Sequence, residues 1–587
     1  MRSGTNPRAR VLLPVLVSCL MLTPVSTAWG QEPVRDNRFG AVEALWDPQA
    51  AAEAGVAWER ILFYWSHLQP NGPEDWNTLH VPDEWLQAAQ ANGREVVGLL
   101  KNTPWWAAAG DPISEASPPR GLELPVSDPG NLWAAFVGRA VAHYAPRGVQ
   151  RWIIWNEPDI SPGVYGEEWS GSIEEYYRLL KVAYRVIKQA DPTAQVHLAG
   201  LTYWHDPGWL RRFLAVAAAD PEAAAHGFFF DVVSLHIYFQ TDTVDRIVYE
   251  ARGALSAYGL GKPIWINETN ASPDSDPLWP VSRPRWRVDL REQASFILQA
   301  HALGLAAGAQ RIAVYKLIDA GLPPGGEPFG LLRPDHSRRP AFGAYQLVTR
   351  YFAGTRSARV ARDPMWAQVT LDRSERTTRV FWARTAQPVT LRVPALASAA
   401  LLIDQEANER VLPADRGHYE LTLPGARCVD AQAGCFIGGP TYLLVEEAPA
   451  GDPVTPVPVG TVVPMPEAPL TGTVAGPTVT ATPRATTAEP SPTLTRTRTP
   501  SPTTRVASPT PATSTDPAPS LTPVPTAAER AAITPSPSSI ATPRAEAYPL
   551  EAMDGQVHSG GRPWMGILAL AAAGALAGYA LWRARAT

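Results

Sequence analysis

Between residues 36 and 352, short unbroken apolar runs recur eight times, each followed by a stretch with helical patterning. The runs start at Phe39, Ala57, Glu95, Gln150, Gln195, Phe230, Pro263 and Arg311, and Val96-Val97-Gly98-Leu99-Leu100 is representative. A strand that is apolar on both faces has to be covered on both, which is the condition of a parallel strand under crossover helices. Asp83–Asn92, Asn131–Tyr144, Glu174–Ala190 and Asp289–Ala307 have the spacing of such helices. Eight βα units in about 310 residues predict an α/β fold of the (β/α)8 type. An open doubly wound sheet is the alternative, but no Gly-rich phosphate loop follows the first strand.

From 356 to 447 the period drops to two, as in Trp366-Ala367-Gln368-Val369-Thr370-Leu371 and Thr378-Arg379-Val380-Phe381-Trp382, with turn residues between runs. This predicts a small β-sandwich, more plausible as a packing partner for the barrel than as a binding module. Residues 448–547 are dominated by Pro, Thr, Ser and Ala. Such a segment buries too little apolar surface to offset its ordering entropy and is expected to be a disordered or extended stalk. The 20 residues 563–582 carry no charge and are followed by Arg583 and Arg585. That length matches a hydrocarbon core of about 30 Å, so one C-terminal transmembrane helix is expected, with the short tail in the cytoplasm.

At the other end, Arg2, Arg8 and Arg10 precede an apolar run and small residues at Ser26, Thr27 and Ala28. Residues 1–30 therefore read as a signal peptide, with a lipoprotein box at Leu16–Cys19 as the rival. Export leaves Cys428 and Cys435, whose closeness in an oxidising compartment predicts a disulfide. The expectation is an exported chain held at the cell surface by one membrane span. The formal net charge of −5 and the lack of a long basic block give no sign of nucleic-acid binding.

Two runs carry the chemistry. Trp155-Asn156-Glu157-Pro158 and Trp265-Ile266-Asn267-Glu268-Thr269 each place a glutamate directly after an apolar strand, the fourth and the seventh. In a βα barrel the loops at the strand C-termini build the active site, and strands four and seven face each other across the mouth. Two carboxylates so placed suit glycosidic bond cleavage, and the retaining mechanism needs them about 5 Å apart. Asn-Glu-Pro alone also caps helices and forms turns; the second glutamate is what turns it into a site. No His or Cys cluster has metal-ligand spacing, so neither a metal nor another cofactor is expected. Glu59 and Asp231 read as solvated or strand-end charges, and His236 as either a ligand contact or a core histidine.

Over residues 36–352 the chain resembles the clan A retaining glycoside hydrolases, closest in flavour to family 39 (β-xylosidase and iduronidase-like) or family 5 (cellulase-like). The motifs that carry the resemblance are Asn156-Glu157-Pro158, Glu268, Thr103-Pro104-Trp105-Trp106, and Gly330-Leu331-Leu332-Arg333 through Pro340-Ala341-Phe342. The resemblance implies Glu157 as general acid/base, Glu268 as nucleophile, and Asn156 as a contact to the sugar 2-hydroxyl. It implies that Arg60 keeps the nucleophile ionised and that Tyr238 hydrogen-bonds it, and His236, Trp65, Trp105, Trp106 and Trp204 are candidate substrate contacts. One departure stands out. Many clan members end strand eight with a Trp under the first sugar, where this chain has Tyr315-Lys316. Tyr315 is the candidate substitute and Lys316 a candidate contact. The implied substrate is a β-linked poly- or oligosaccharide. A non-catalytic carbohydrate-binding or adhesion protein, or a transglycosylase, would use the same framework.

Overall fold

The computed structural model describes residues 35–160, 166–282, 284, 286–428, 435–451 and 456–458. The expected signal peptide, the expected span at 563–582 and nearly all of the expected stalk lie outside these residues. Among the described residues no helix is long and apolar enough to cross a membrane.

Eight parallel strands close in chain order into a barrel: β1 (Phe39–Val42), β2 (Trp58–Tyr64), β3 (Glu95–Lys101), β4 (Val149–Asn156), β5 (Gln195–Leu201), β6 (Val232–Tyr238), β7 (Ile264–Asn270) and β8 (Arg311–Val314), with β8 pairing back onto β1. Each begins within two residues of the start read from the sequence, because a continuous apolar run is what a strand covered on both faces requires. Alternate side chains divide between two cores. Trp58, Val97, Leu99, Ile153, Val232, Trp265 and Ala313 meet one another from six different strands, which places them inside the barrel. Their neighbours Ile61, Phe63, Ile154 and Ile266 join the larger core beneath the helices. Helices Ile173–Ala190 and Leu290–Ala306 start with reciprocal capping boxes, Ser172 with Glu175 and Asp289 with Glu292.

The N-terminal end of the lumen is plugged by charge. Glu95, at the start of β3, pairs with Arg151 and with Arg311 (2.5 Å) from across the barrel, and both guanidiniums lie over the Trp265 ring. Glu59 is a correction to the sequence reading. It is fully buried and pairs with Arg94 at 2.6 Å. Its position on β2 is odd where Trp58 and Arg60 are even, so it points into the helix layer, and the partner that makes this tolerable lies 35 residues away.

Two antiparallel sheets follow. One has the order β14-β13-β16-β11-β10-β9 and the other β15-β12-β17. In chain order they are β9 (Ser357–Arg362), β10 (Trp366–Asp372), β11 (Thr377–Ala383), β12 (Val389–Pro394), β13 (Ala399–Asp404), β14 (Glu409–Pro413), β15 (His418–Leu423), β16 (Tyr442–Glu446) and β17 (Val457–Pro458). Trp366, Phe381, Leu391, Leu402, Leu421 and Leu444 pack between the sheets. The opposite face of the larger sheet offers Val369, Leu371, Val380, Trp382, Leu401 and Leu443 to the barrel core. Gln299 of the barrel reaches across to the Gly439 carbonyl and Thr441. β17 falls inside the segment expected to be stalk; its two residues pair with β12, a non-local contact that composition does not reveal. Cys428 and Cys435 form a disulfide with Cα atoms 4.4 Å apart.

Candidate active site

Glu157 follows β4 directly, and its backbone is left-handed (φ 42°), as is that of Trp155 (φ 72°). Non-glycine residues take this conformation only where the surroundings enforce it. Here the Glu157 amide donates to the Gly200 carbonyl of β5 at 3.0 Å. Asp159 then ties the loop to the end of β5, accepting from the Thr202 hydroxyl (2.8 Å) and the Tyr203 amide (2.9 Å). Glu268 sits in β7 where the register with β6 slips, so that it stands opposite His236. Such an irregularity re-aims a side chain at a strand end.

Glu157, His236 and Glu268 bring one donor or acceptor atom each within 4.8 Å of one another. His236 Nδ1 lies 2.6 Å from Glu157 Oε1 and 3.5 Å from Glu268 Oε2. Arg60 donates to Glu268 Oε1 and the Tyr238 hydroxyl to Oε2. Glu157 and Glu268 are 1% and 3% exposed, so every charge in the cluster acts in a water-poor setting. Glu157 Oε2 and the half-buried Asn156's Oδ1 are buried atoms with no hydrogen-bond partner among the described residues.

The two carboxyl groups are pushed in opposite directions. Burial, reinforced by the charge of Glu268, raises the Glu157 pKa to about 7 against the hydrogen bond from His236. Burial also works to raise Glu268, but the charges of Arg60 and His236 and the Tyr238 hydrogen bond prevail and hold it below the ordinary carboxylate value. For His236, burial favours the neutral ring; Glu268 and the bond to Glu157 outweigh it and raise its pKa. Burial and then Glu268 keep the Tyr238 phenol protonated, a neutral donor. The trio has the composition of a metal site, yet both Glu268 oxygens are already taken, one of them by a guanidinium. A cation there would face the Arg60 charge across a dry site, so the group fits a proton-sharing carboxylate pair better than a metal centre.

A cation at the end of β3 and an acid after β1 extend the cluster beyond the residues singled out from the sequence. Lys101 pairs with Glu168, whose charge adds to the rise at Glu157. Lys316 pairs with Glu43 at 3.1 Å. The signal for Lys101 was present, since the run Val96–Leu100 ends on it as the other strands end on site residues. Gly200 was also missed. A Cβ there would sit 2.0 Å from His236 Nε2, so the ring lies where a side chain would otherwise be.

The aromatic candidates separate. Tyr315 (6% exposed) packs edge-on against Tyr238 beside the glutamates. Trp106 is half-buried, its indole N–H fixed on the Gln69 carbonyl at 2.7 Å, and Trp105 is exposed. Trp204 is half-buried at the end of β5, beside Tyr203. Trp65 is a correction: it is fully buried, stacked on Phe136 and packed against Trp133, because it opens a short helix whose inner face belongs to the core. A separate cavity lined by Asp159, Leu201, Tyr203, Trp209, Leu235 and Glu250 touches neither catalytic candidate.

No protein-family model and no curated protein sequence matches this chain. Solved structures do. One is a family 39 glycoside hydrolase from the gut symbiont Bacteroides cellulosilyticus WH2, 19% identical, with 70% of this chain and 81% of that one covered at a TM-score of 0.53. Another is a GH30 endoxylanase from Clostridium papyrosolvens C71, 13% identical over 72% of this chain and 97% of that one, with a TM-score of 0.47. At such identities the likeness is one of fold.

Proposed function

We propose that the chain is a retaining glycoside hydrolase that cleaves β-linked glycans by double displacement. The observation that carries this reading is the pair of glutamate oxygens within 4.8 Å whose environments drive one carboxyl towards the proton and the other away from it. That spacing suits direct attack on the sugar rather than insertion of a water between acid and base. Glu268, ionised and held by Arg60 and Tyr238, attacks the anomeric carbon. Glu157 gives its proton to the departing glycosidic oxygen. Its Oε2, which has no hydrogen-bond partner among the described residues, is the atom suited to hold that proton.

Once Glu268 is esterified its charge is gone, and with it one of the neighbouring negative charges that raise the Glu157 pKa. The Glu157 pKa falls, and the same residue takes a proton from the water that frees the sugar. Asn156 Oδ1, buried and without a hydrogen-bond partner among the described residues, is suited to accept from a sugar hydroxyl. The fold shared with a family 39 glycoside hydrolase is compatible with this chemistry. The composition of 1–30 and 563–582 supports export and anchoring at the cell surface, on the stalk of 448–547.

The test is a panel of chromogenic aryl β-glycosides with wild type and Glu268→Ala. The wild type turns over at least one, the variant turns over none, and added azide restores a glycosyl azide of inverted configuration. A wild-type chain inert towards the whole panel and towards β-linked polysaccharides would falsify the assignment.

A further inference from the structure

A row of aromatic rings runs from Glu268 to the second domain. Tyr238, bonded to Glu268, meets Phe329 at 5.6 Å between centroids. Phe239 continues the row 6.1 Å from Phe329 and stacks on Trp286 at 4.8 Å with the planes 29° apart. Trp286 meets Phe436 edge-on at 6.0 Å. Tyr238, Phe239 and Phe329 each keep a sliver of surface, and Trp286 is half-buried. Flat apolar rings beside a polar cluster are suited to pack the face of a sugar ring.

Phe436 belongs to the second domain and directly follows Cys435. Its carbonyl accepts from the Thr241 amide at 2.9 Å, two residues beyond Phe239. On the other side of the disulfide, Arg427 donates to the Arg287 carbonyl and to Glu292. The Trp286 and Arg287 amides are themselves held on Asp274 Oδ2 at 2.7 and 3.0 Å. The two chain segments that enter the disulfide ring thus grip the barrel loops on either side of Trp286, and the covalent link limits how far the grips can part.

We propose that Trp286 is a specificity-determining residue walling a sugar subsite beside the catalytic centre, and that the Cys428–Cys435 disulfide sets its position through Phe436 and Arg427. This rests on the glycosidase reading. If the contact were mere domain glue, its loss would lower stability and leave substrate preference unchanged.

The experiment uses the full chain with aryl β-glycosides and the corresponding β-linked oligosaccharides. Trp286→Ala is expected to raise the oligosaccharide KM about tenfold with kcat within about twofold, the size of one lost aromatic contact. Reduction of the folded wild type with a phosphine, verified by alkylation of Cys428 and Cys435, is expected to raise KM in the same direction. It also speeds deuterium exchange in peptides covering 286–292. Phe436→Ala should reproduce both effects, and if that variant fails to fold the reduced wild type decides. An active enzyme whose KM is indifferent to Trp286→Ala, or whose KM and exchange ignore reduction, overturns the inference alone. An oxidised wild type that turns over none of the probes sinks the glycosidase reading and this inference with it.

Discussion

The two ends of the barrel lumen hold similar groups in opposite proportion. At the N-terminal end one carboxylate, Glu95, faces two guanidiniums, Arg151 and Arg311. Burial would raise the Glu95 pKa, but Arg311 and then Arg151 more than reverse it, and the acid stays ionised. At the C-terminal end two carboxylates, Glu157 and Glu268, share one guanidinium and an imidazole. Two anions that close in a dry site cannot both be ionised cheaply, so the cluster retains a proton and Glu157 is where it is held. An excess of fixed cations keeps the acid of one end ionised as a plug; two carboxylates around one guanidinium leave the other end able to hold a proton.

The largest effect expected from disturbing this contrast is at Glu268. If Glu268 is the proposed nucleophile, Glu268→Ala lowers kcat by about 10⁴-fold or more, measured by steady-state hydrolysis with azide rescue as the control. Glu157→Gln comes next. It costs about 10²–10⁴-fold with poor leaving groups, the range of general acid catalysis, and less with nitrophenolates, which leave unaided.

The pH profile of kcat/KM sharpens the comparison. The proposed reaction needs Glu157 protonated and Glu268 ionised, so activity is expected to fall as pH rises through the Glu157 pKa near 7 and as pH falls through that of Glu268 below the ordinary carboxylate value. Arg60→Met removes the largest charge lowering Glu268, so the acid limb moves upward while the alkaline limb persists. The smallest effect belongs to the plug. Arg151→Met leaves the profile in place and costs about 1 kcal/mol or less of stability, because Glu95 keeps a third of its side chain in solvent and retains Arg311. A thermal melt beside the pH profile checks this, and a displaced profile would break the contrast.

What was legible in the sequence follows from how local the determining contacts are. The strand starts at Phe39, Glu95, Gln195 and Arg311 were legible because burial on both faces writes itself as an unbroken apolar run. Glu157 and Glu268 were legible because an acid directly after such a run has no place in a core. The bridge from His236 to both glutamates was not, since it joins β4, β6 and β7 through a register slip that leaves no local mark. Trp65 and Trp106 looked alike because tryptophan serves a core and a sugar face equally; only the packing of Phe136 and Trp133 separates them. Glu59 was misplaced for the same reason in reverse, its partner Arg94 lying on the far side of a helix.

The closed floor beneath the glutamates has a bearing on traffic. With Glu95, Arg151, Arg311 and the packed rings of Trp58 and Trp265 below, a glycan has no route through the barrel. Whatever enters at the rim must leave by it, so in the proposed reaction the severed sugar, the aglycone and the incoming hydrolytic water would all compete for a single doorway.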